Sequence, residues 1–205
     1  MSTKLSEFER TFKCNIERRR KFSLPGYKNL TEVCNGDFDG EYVTPLQIEA
    51  RSATGICLVS HYWFNVESLE KRAPDSEKYQ ILKKHGYTPS IDFNRIMDAA
   101  LKKVGLCRAD TYMTQIFHLL PLKGRPKAED IWPSFETITQ HEIRGRKVVA
   151  LGGRAKRVCE HARKKFGANF FESFESIYSP SYRYQKGKDE NERATDIAAA
   201  IAKIL

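Results

Sequence analysis

The sequence predicts an α/β protein: a three-layer, doubly wound sheet of about four parallel strands flanked by helices, with an N-terminal helical extension. Two observations predict it. Short apolar runs bounded by glycine or polar residues alternate four times with stretches of helical periodicity, and parallel neighbours need crossover helices, so an open sheet is the natural outcome. No Pro-, Gly- or Ser-rich linker divides the 205 residues, and 40% hydrophobic content suffices for one sizeable core. One domain is therefore expected over 1–205, with 1–45 as helix plus irregular extension and 46–205 as the core.

The elements follow in order. Phe8, Phe12 and Ile16 recur at four-residue spacing between Ser6 and Phe22, an amphipathic helix docked by one face. Leu24 to Pro45 is rich in turn formers and acids, and reads as irregular or a short hairpin. Gly55 to Ser60 is an apolar run suited to a buried parallel strand. Phe93, Met97, Ala100, Leu101 and Val104 mark a helix closed by Gly105. Thr111 to Phe117 is the second strand, Ala128 to Ile143 the next helix, Lys147 to Leu151 the third strand and Ala155 to Phe166 the helix after it. Ser176 to Tyr178 reads as a short fourth strand, and Ala194, Ile197, Ala198 and Ile201 mark the last helix.

The formal charge of +9 would attract any polyanion, because neutralised phosphates release condensed counterions. The first twenty residues are charged and contain no secretory or membrane-spanning stretch, so a cytoplasmic protein that does not enter a membrane is expected. Five widely spaced cysteines without a CxxC indicate neither a disulfide framework nor a zinc knuckle, and most are expected to be reduced packing residues. No cofactor, metal or metal cluster is expected, and the chain is expected to be a monomer.

In a doubly wound sheet the functional loops lie beyond the carboxyl ends of the strands. After the first strand come Ser60, His61, Tyr62, Trp63, Phe64 and Asn65, three aromatics that could sandwich an extruded base or simply turn a corner in the core. After the second comes Gln115, whose amide can read a base edge, then Gly124, Arg125 and Pro126. After the third, Gly152 and Gly153 open a helix carrying Arg154, whose amides could face an anion. After the fourth, Tyr178 to Tyr184 interleaves hydroxyls and aromatics with Arg183, and Lys186 follows; this suits phosphate contact and stacking.

Read together, these segments resemble the uracil-DNA glycosylase superfamily over roughly Gly55 to Leu205. Tyr112 to Pro121, with Gly124-Arg125-Pro126 and Glu129, is similar to the family's Thr-Asn passage; Val149 to Ala155 is similar to its Val-Ala-Leu-Gly-x-x-Ala; Tyr178 to Tyr182 resembles its His-Pro-Ser loop. The resemblance implies extrusion of a nucleotide from DNA and hydrolysis of its N-glycosidic bond, with a positioned water and donors to the departing base. Leu119 stands where the iron–sulfur members carry a cysteine, so no cluster is implied.

The departures matter as much. Ser60-His61-Tyr62-Trp63 lacks the acid or amide that orients water in the family, leaving His61 as a base or Asn65 as the nearest amide; Ser179 replaces the family's His, and Gln115 its base-reading Asn. The expected site is therefore His61, Asn65 and Ser179 for catalysis, Tyr62, Trp63, Phe64 and Gln115 for the base, and Arg125, Gly153, Arg154, Ser181, Tyr182, Arg183, Tyr184 and Lys186 for DNA. These changes suggest a glycosylase for an atypical or modified base, in repair or defence. Two rivals stay open: a DNA-binding module that has lost the chemistry, and an enzyme acting on a free nucleoside or nucleotide.

Overall fold

The computed structural model describes residues 7–48, 55–180 and 187–205, with the side chains of Glu7 and Phe8 outside that description. The helix α1 (Glu7–Lys21) buries Phe12 and Ile16, as the four-residue spacing requires. A two-residue strand β1 (Tyr27–Lys28) follows. It does not close a local hairpin, but pairs antiparallel with β4 (Leu120–Pro121), far away in sequence. The turn-rich segment up to Gln47 is otherwise a series of short 3-10 turns.

The main sheet has four parallel strands in the order β3-β2-β5-β6, with β2 at Cys57–Ser60, β3 at Tyr112–Gln115, β5 at Lys147–Leu151 and β6 at Ser173–Ile177. The fourth strand thus begins three residues before the expected Ser176 and stops short of Tyr178. The register sets Cys57 beside both Tyr112 and Val148, and Ser60 beside Gln115. Alternation sorts the strand residues between two cores. Cys57, Val59, Tyr112, Val148 and Ala150 face one cluster, which takes in α1, α5 (Ala128–Ser134) and α7 (Gly153–Phe166). Leu58, Met113, Val149 and Leu151 face the other, filled by Ile96, Met97, Ala100 and Leu101 of α4 (Asp92–Lys103) and by Ala194, Ile197, Ala198 and Ile201 of α8 (Glu190–Ala202). Three layers result.

Two short helices went unannounced by periodicity: α2 (Val66–Glu70) and α3 (Glu77–His85). Each starts on a side-chain cap, Asn65 accepting from the Ser68 amide and Ser76 from the Tyr79 amide. Between α5 and α6 (Gln140–Ile143) runs a π-helical turn, Phe135–Thr139. Behind the sheet, Glu142 accepts hydrogen bonds from the Tyr112 and Thr114 hydroxyls, the latter at 2.6 Å. Buried Arg19 ties α1 to the next segment through Asp39 and the carbonyls of Gly40 (3.0 Å) and Tyr42 (2.9 Å). Among the five free cysteines, Cys57 and Cys159 are buried and Cys34 packs against the core, whereas Cys14 and Cys107 are exposed, so most are packing residues, as expected.

The chain leaves β2 toward β3 and leaves β5 toward β6. Neighbouring strands whose connections depart in opposite directions open a crevice at their carboxyl ends.

Candidate functional site

A cleft of about 1010 Å³ opens at that crevice. One wall is the turn after β2. Tyr62 donates its hydroxyl to the Gly124 carbonyl (3.3 Å), and Trp63 donates its indole N–H to the Gly86 carbonyl (2.6 Å). Trp63 also meets Phe38 and Phe64 edge to face, with ring centroids 5.2 and 5.0 Å away. Gly86 caps α3 with φ +73°, and a Cβ there would lie 1.6 Å from the Pro45 carbonyl oxygen. Only glycine fits that approach.

From Gly86 the lining continues through Tyr87, Thr88, Asp92 and Asn94. Arg108 braces it from outside the cleft lining: its guanidinium lies 3.8 Å from the Tyr87 ring centroid and donates to Asn94 Oδ1 (3.0 Å). Asn94 in turn donates to the Thr88 carbonyl (3.0 Å). Among the described residues Asp92 is the carboxylate of the cleft lining, and Arg95 holds it at 2.7 Å while also pairing with Glu190.

The cleft end formed by β5 and α7 is cationic. Gly152, Gly153, Arg154, Ala155 and Arg157 line it, with Arg125 joining from the loop after β4. Among the described residues no carboxylate pairs with Arg125, Arg154 or Arg157. The first turn of α7 has no side-chain cap, so its free amides add to the positive potential. Arg154 Nη1 lies 3.1 Å from the Pro126 carbonyl and 3.2 Å from His61 Nε2. Arginine can only donate, so Nε2 accepts and the imidazole proton resides on Nδ1. Burial, then Arg154, Arg125 and Arg157, push the His61 pKa down to about 3. His61 is thus a neutral ring with its best lone pair occupied, a poor general base and an available N–H donor.

Ser179 closes the cleft from the loop after β6. Gly152 sits against it at φ +99°, where a Cβ would touch the Ser179 Cβ at 3.4 Å, and donates its amide to the Ile177 carbonyl at 2.7 Å. Tyr178 stands at the rim, 69% exposed.

The structure brings His61, Tyr62, Trp63, Phe64, Arg125, Gly153, Arg154 and Ser179 onto one cleft. Two expected members do not line it. Gln115 ends the edge strand, one strand removed from the crevice between β2 and β5; it is 3% exposed, and its carbonyl accepts from Thr139 (2.7 Å). Asn65 caps α2 and donates to the Gly124 carbonyl (3.1 Å), so its amide is spent on the loop. Ser181, Tyr182, Arg183, Tyr184 and Lys186 lie outside the described residues. Sequence reasoning did not single out Tyr87, Thr88, Asp92 or Asn94 for the site. The turn-forming Gly86-Tyr87-Thr88-Pro89 was the available signal for the first of these.

Among the described residues no helix is long and apolar enough to cross a membrane, and no group of three His, Cys, Asp or Glu side chains could hold a metal ion. Comparison with protein-family models matches residues 72–203 to the one described as "Uracil DNA glycosylase superfamily". No curated protein matches the sequence.

Proposed function

Since the chain belongs to the uracil DNA glycosylase superfamily, whose members generally hydrolyse N-glycosidic bonds in DNA, we propose that it excises an atypical or modified base, uracil or a modified pyrimidine, in repair or anti-phage defence. The observation that carries this reading is the meeting, in one cleft at the sheet's switch point, of an aromatic turn with three arginines that pair with no carboxylate among the described residues. The arginines suit an anion; the aromatics suit the face of a base.

The reaction breaks the bond between C1′ of the sugar and the base nitrogen, leaving an oxocarbenium-like sugar and an anionic base. Arg125, Arg154, Arg157 and the first amides of α7 stabilise that developing negative charge and the phosphates beside the extruded nucleotide. His61 donates Nδ1–H to the departing base, a role that its neutral state favours and that replaces the base role expected from sequence. Ser179 offers a second, weaker donor. The water that adds to C1′ loses its proton toward a carboxylate, and Asp92, fixed by Arg95, is the acid the cleft provides.

Duplexes carrying single uracil or 5-hydroxymethyluracil residues, incubated with the protein and then heated in alkali, should break at the modified position. Asp92→Asn should slow cleavage about a hundredfold with binding retained, as loss of a positioned acid–base group does. A specific observation favours a second reading, a DNA-binding module without chemistry: the 60–64 turn bears no acid and Asp92 is already paired. Salt-sensitive binding with intact strands for every base tried would favour that module and defeat the enzymatic reading.

A further inference from the structure

Thr88 lines the cleft with 6% of its surface exposed, and its hydroxyl has no hydrogen-bond partner among the described residues. Gln115 Oε1 shares that condition but belongs to the edge strand, away from the cleft. Leaving a buried hydroxyl unpaired destabilises a folded chain, so its retention in a cleft wall calls for a partner that the cleft receives.

The rest of Thr88 is firmly held. Its carbonyl accepts from the Ile91 amide (3.1 Å) and from Asn94 Nδ2 (3.0 Å). Asn94 Oδ1 is fixed in turn by Arg108 (3.0 Å), which also pairs with Asp98 and lies 3.8 Å from the Tyr87 ring centroid. Pro89 follows and disfavours helical backbone at Thr88, and branching at Cβ leaves the side chain few rotamers. The wall therefore offers one hydroxyl at a defined place, with a proton free to turn. Asn94 adds no second reader, because its amide is engaged at both ends.

We propose that Thr88 reads the edge of the extruded base through its hydroxyl, and that it takes uracil-type and cytosine-type bases alike. This rests on the DNA reading above and supplies a reader in place of Gln115. Along the pairing edge uracil presents an N–H beside a carbonyl, whereas cytosine presents a bare ring nitrogen beside an amine, so donor and acceptor exchange places. A side-chain amide carries its donor and its acceptor on separate atoms, and one orientation suits one arrangement. A hydroxyl carries one donor and two lone pairs on the same oxygen, and turns to meet either.

The test uses single strands carrying one 2′-fluorinated uracil or cytosine nucleotide, which resists cleavage, and scores each affinity against the same strand with a tetrahydrofuran abasic residue. Wild type should gain affinity from both bases, within a few-fold of each other. Thr88→Val keeps the shape without the hydroxyl and should lose about tenfold of that gain for both, the size of one neutral hydrogen bond. Thr88→Ser should retain most of it. Without DNA, Thr88→Val should melt no lower than wild type, since it removes a hydroxyl that the fold does not engage. A melt several degrees lower would make the hydroxyl part of the framework and overturn the proposal. So would undiminished binding of either base by Thr88→Val, or a wild type that favours one base by about a hundredfold, as a fixed reader does. Those results leave the DNA reading standing. A wild type that gains nothing from either base over the abasic strand would overturn both.

Discussion

The molecule handles charge in two opposite ways on either side of β2, buried and paired on one, open to solvent on the other. Behind the sheet two buried ionic groups are answered: Glu142 receives Tyr112 and Thr114, and Arg19 is met by Asp39 and two carbonyls. In the cleft, Arg125, Arg154 and Arg157 crowd a single imidazole, and among the described residues no carboxylate pairs with them. The two histidines sharpen the contrast. Burial pushes both down to about 3, but His118 donates Nε2–H to Thr139 (3.1 Å), whose own proton goes to the Gln115 carbonyl, whereas His61 accepts from a guanidinium. A closed network is what stability requires; an open one with surplus charge is what an anionic ligand would complete.

The contrast can be broken by exchanging its terms. Arg154→Ala should lower cleavage by about 10²–10³-fold with little change in urea stability, the size seen when one fixed donor is removed from developing negative charge. A large loss of stability instead would make Arg154 part of the framework. Arg19→Met should do the reverse, costing about 3 kcal/mol in urea unfolding, because it takes the donor from the Tyr42 carbonyl and leaves Asp39 and the Gly40 carbonyl to Arg20.

Glu142 provides a smaller effect with a defined pH window. Burial raises its carboxyl from 4.5 to about 7, so between those values the unfolded chain has released a proton that the folded chain keeps. Its contribution to stability is greatest below about pH 4.5 and falls as pH rises toward 7. Glu142→Gln should flatten that decline in thermal melts, and an unchanged profile would contradict the burial assigned to this group. Smallest of all, His61 should leave no inflection near its ordinary 6.5 in the pH–rate profile, since its pKa lies near 3. An inflection that vanishes in His61→Gln would restore it as a base.

The regular part of the fold was legible because strands and crossover helices write their own periods: Leu58 and Val59 alternate between cores, and Ile96, Met97, Ala100 and Leu101 share one helix face. The parts that escaped depend on partners remote in sequence. Tyr27 becomes a strand only by meeting Pro121, and α2 and α3 are short helices fixed by Asn65 and Ser76 caps more than by an apolar stripe. In the site, residue types at strand ends pointed to His61, Trp63, Arg154 and Ser179. Strand order could not be read, and it is strand order that sets Gln115 at an edge, away from the cleft. Asn65 looked available because its duty as a cap and loop tether is invisible until Gly124 is placed beside it.

Gly86 has a consequence for anyone who would trim this protein. The match to the family model begins at residue 72, yet the carbonyl of Pro45 rests where a Gly86 side chain would be, Phe38 backs Trp63, and Gln47 accepts from the Met113 amide at 2.7 Å. A shortened version starting where recognisable homology starts would discard the central strand and the buttress behind the aromatic turn, and should be recovered as insoluble aggregate. The part of the chain ahead of the family match is the mould in which the matched part sets.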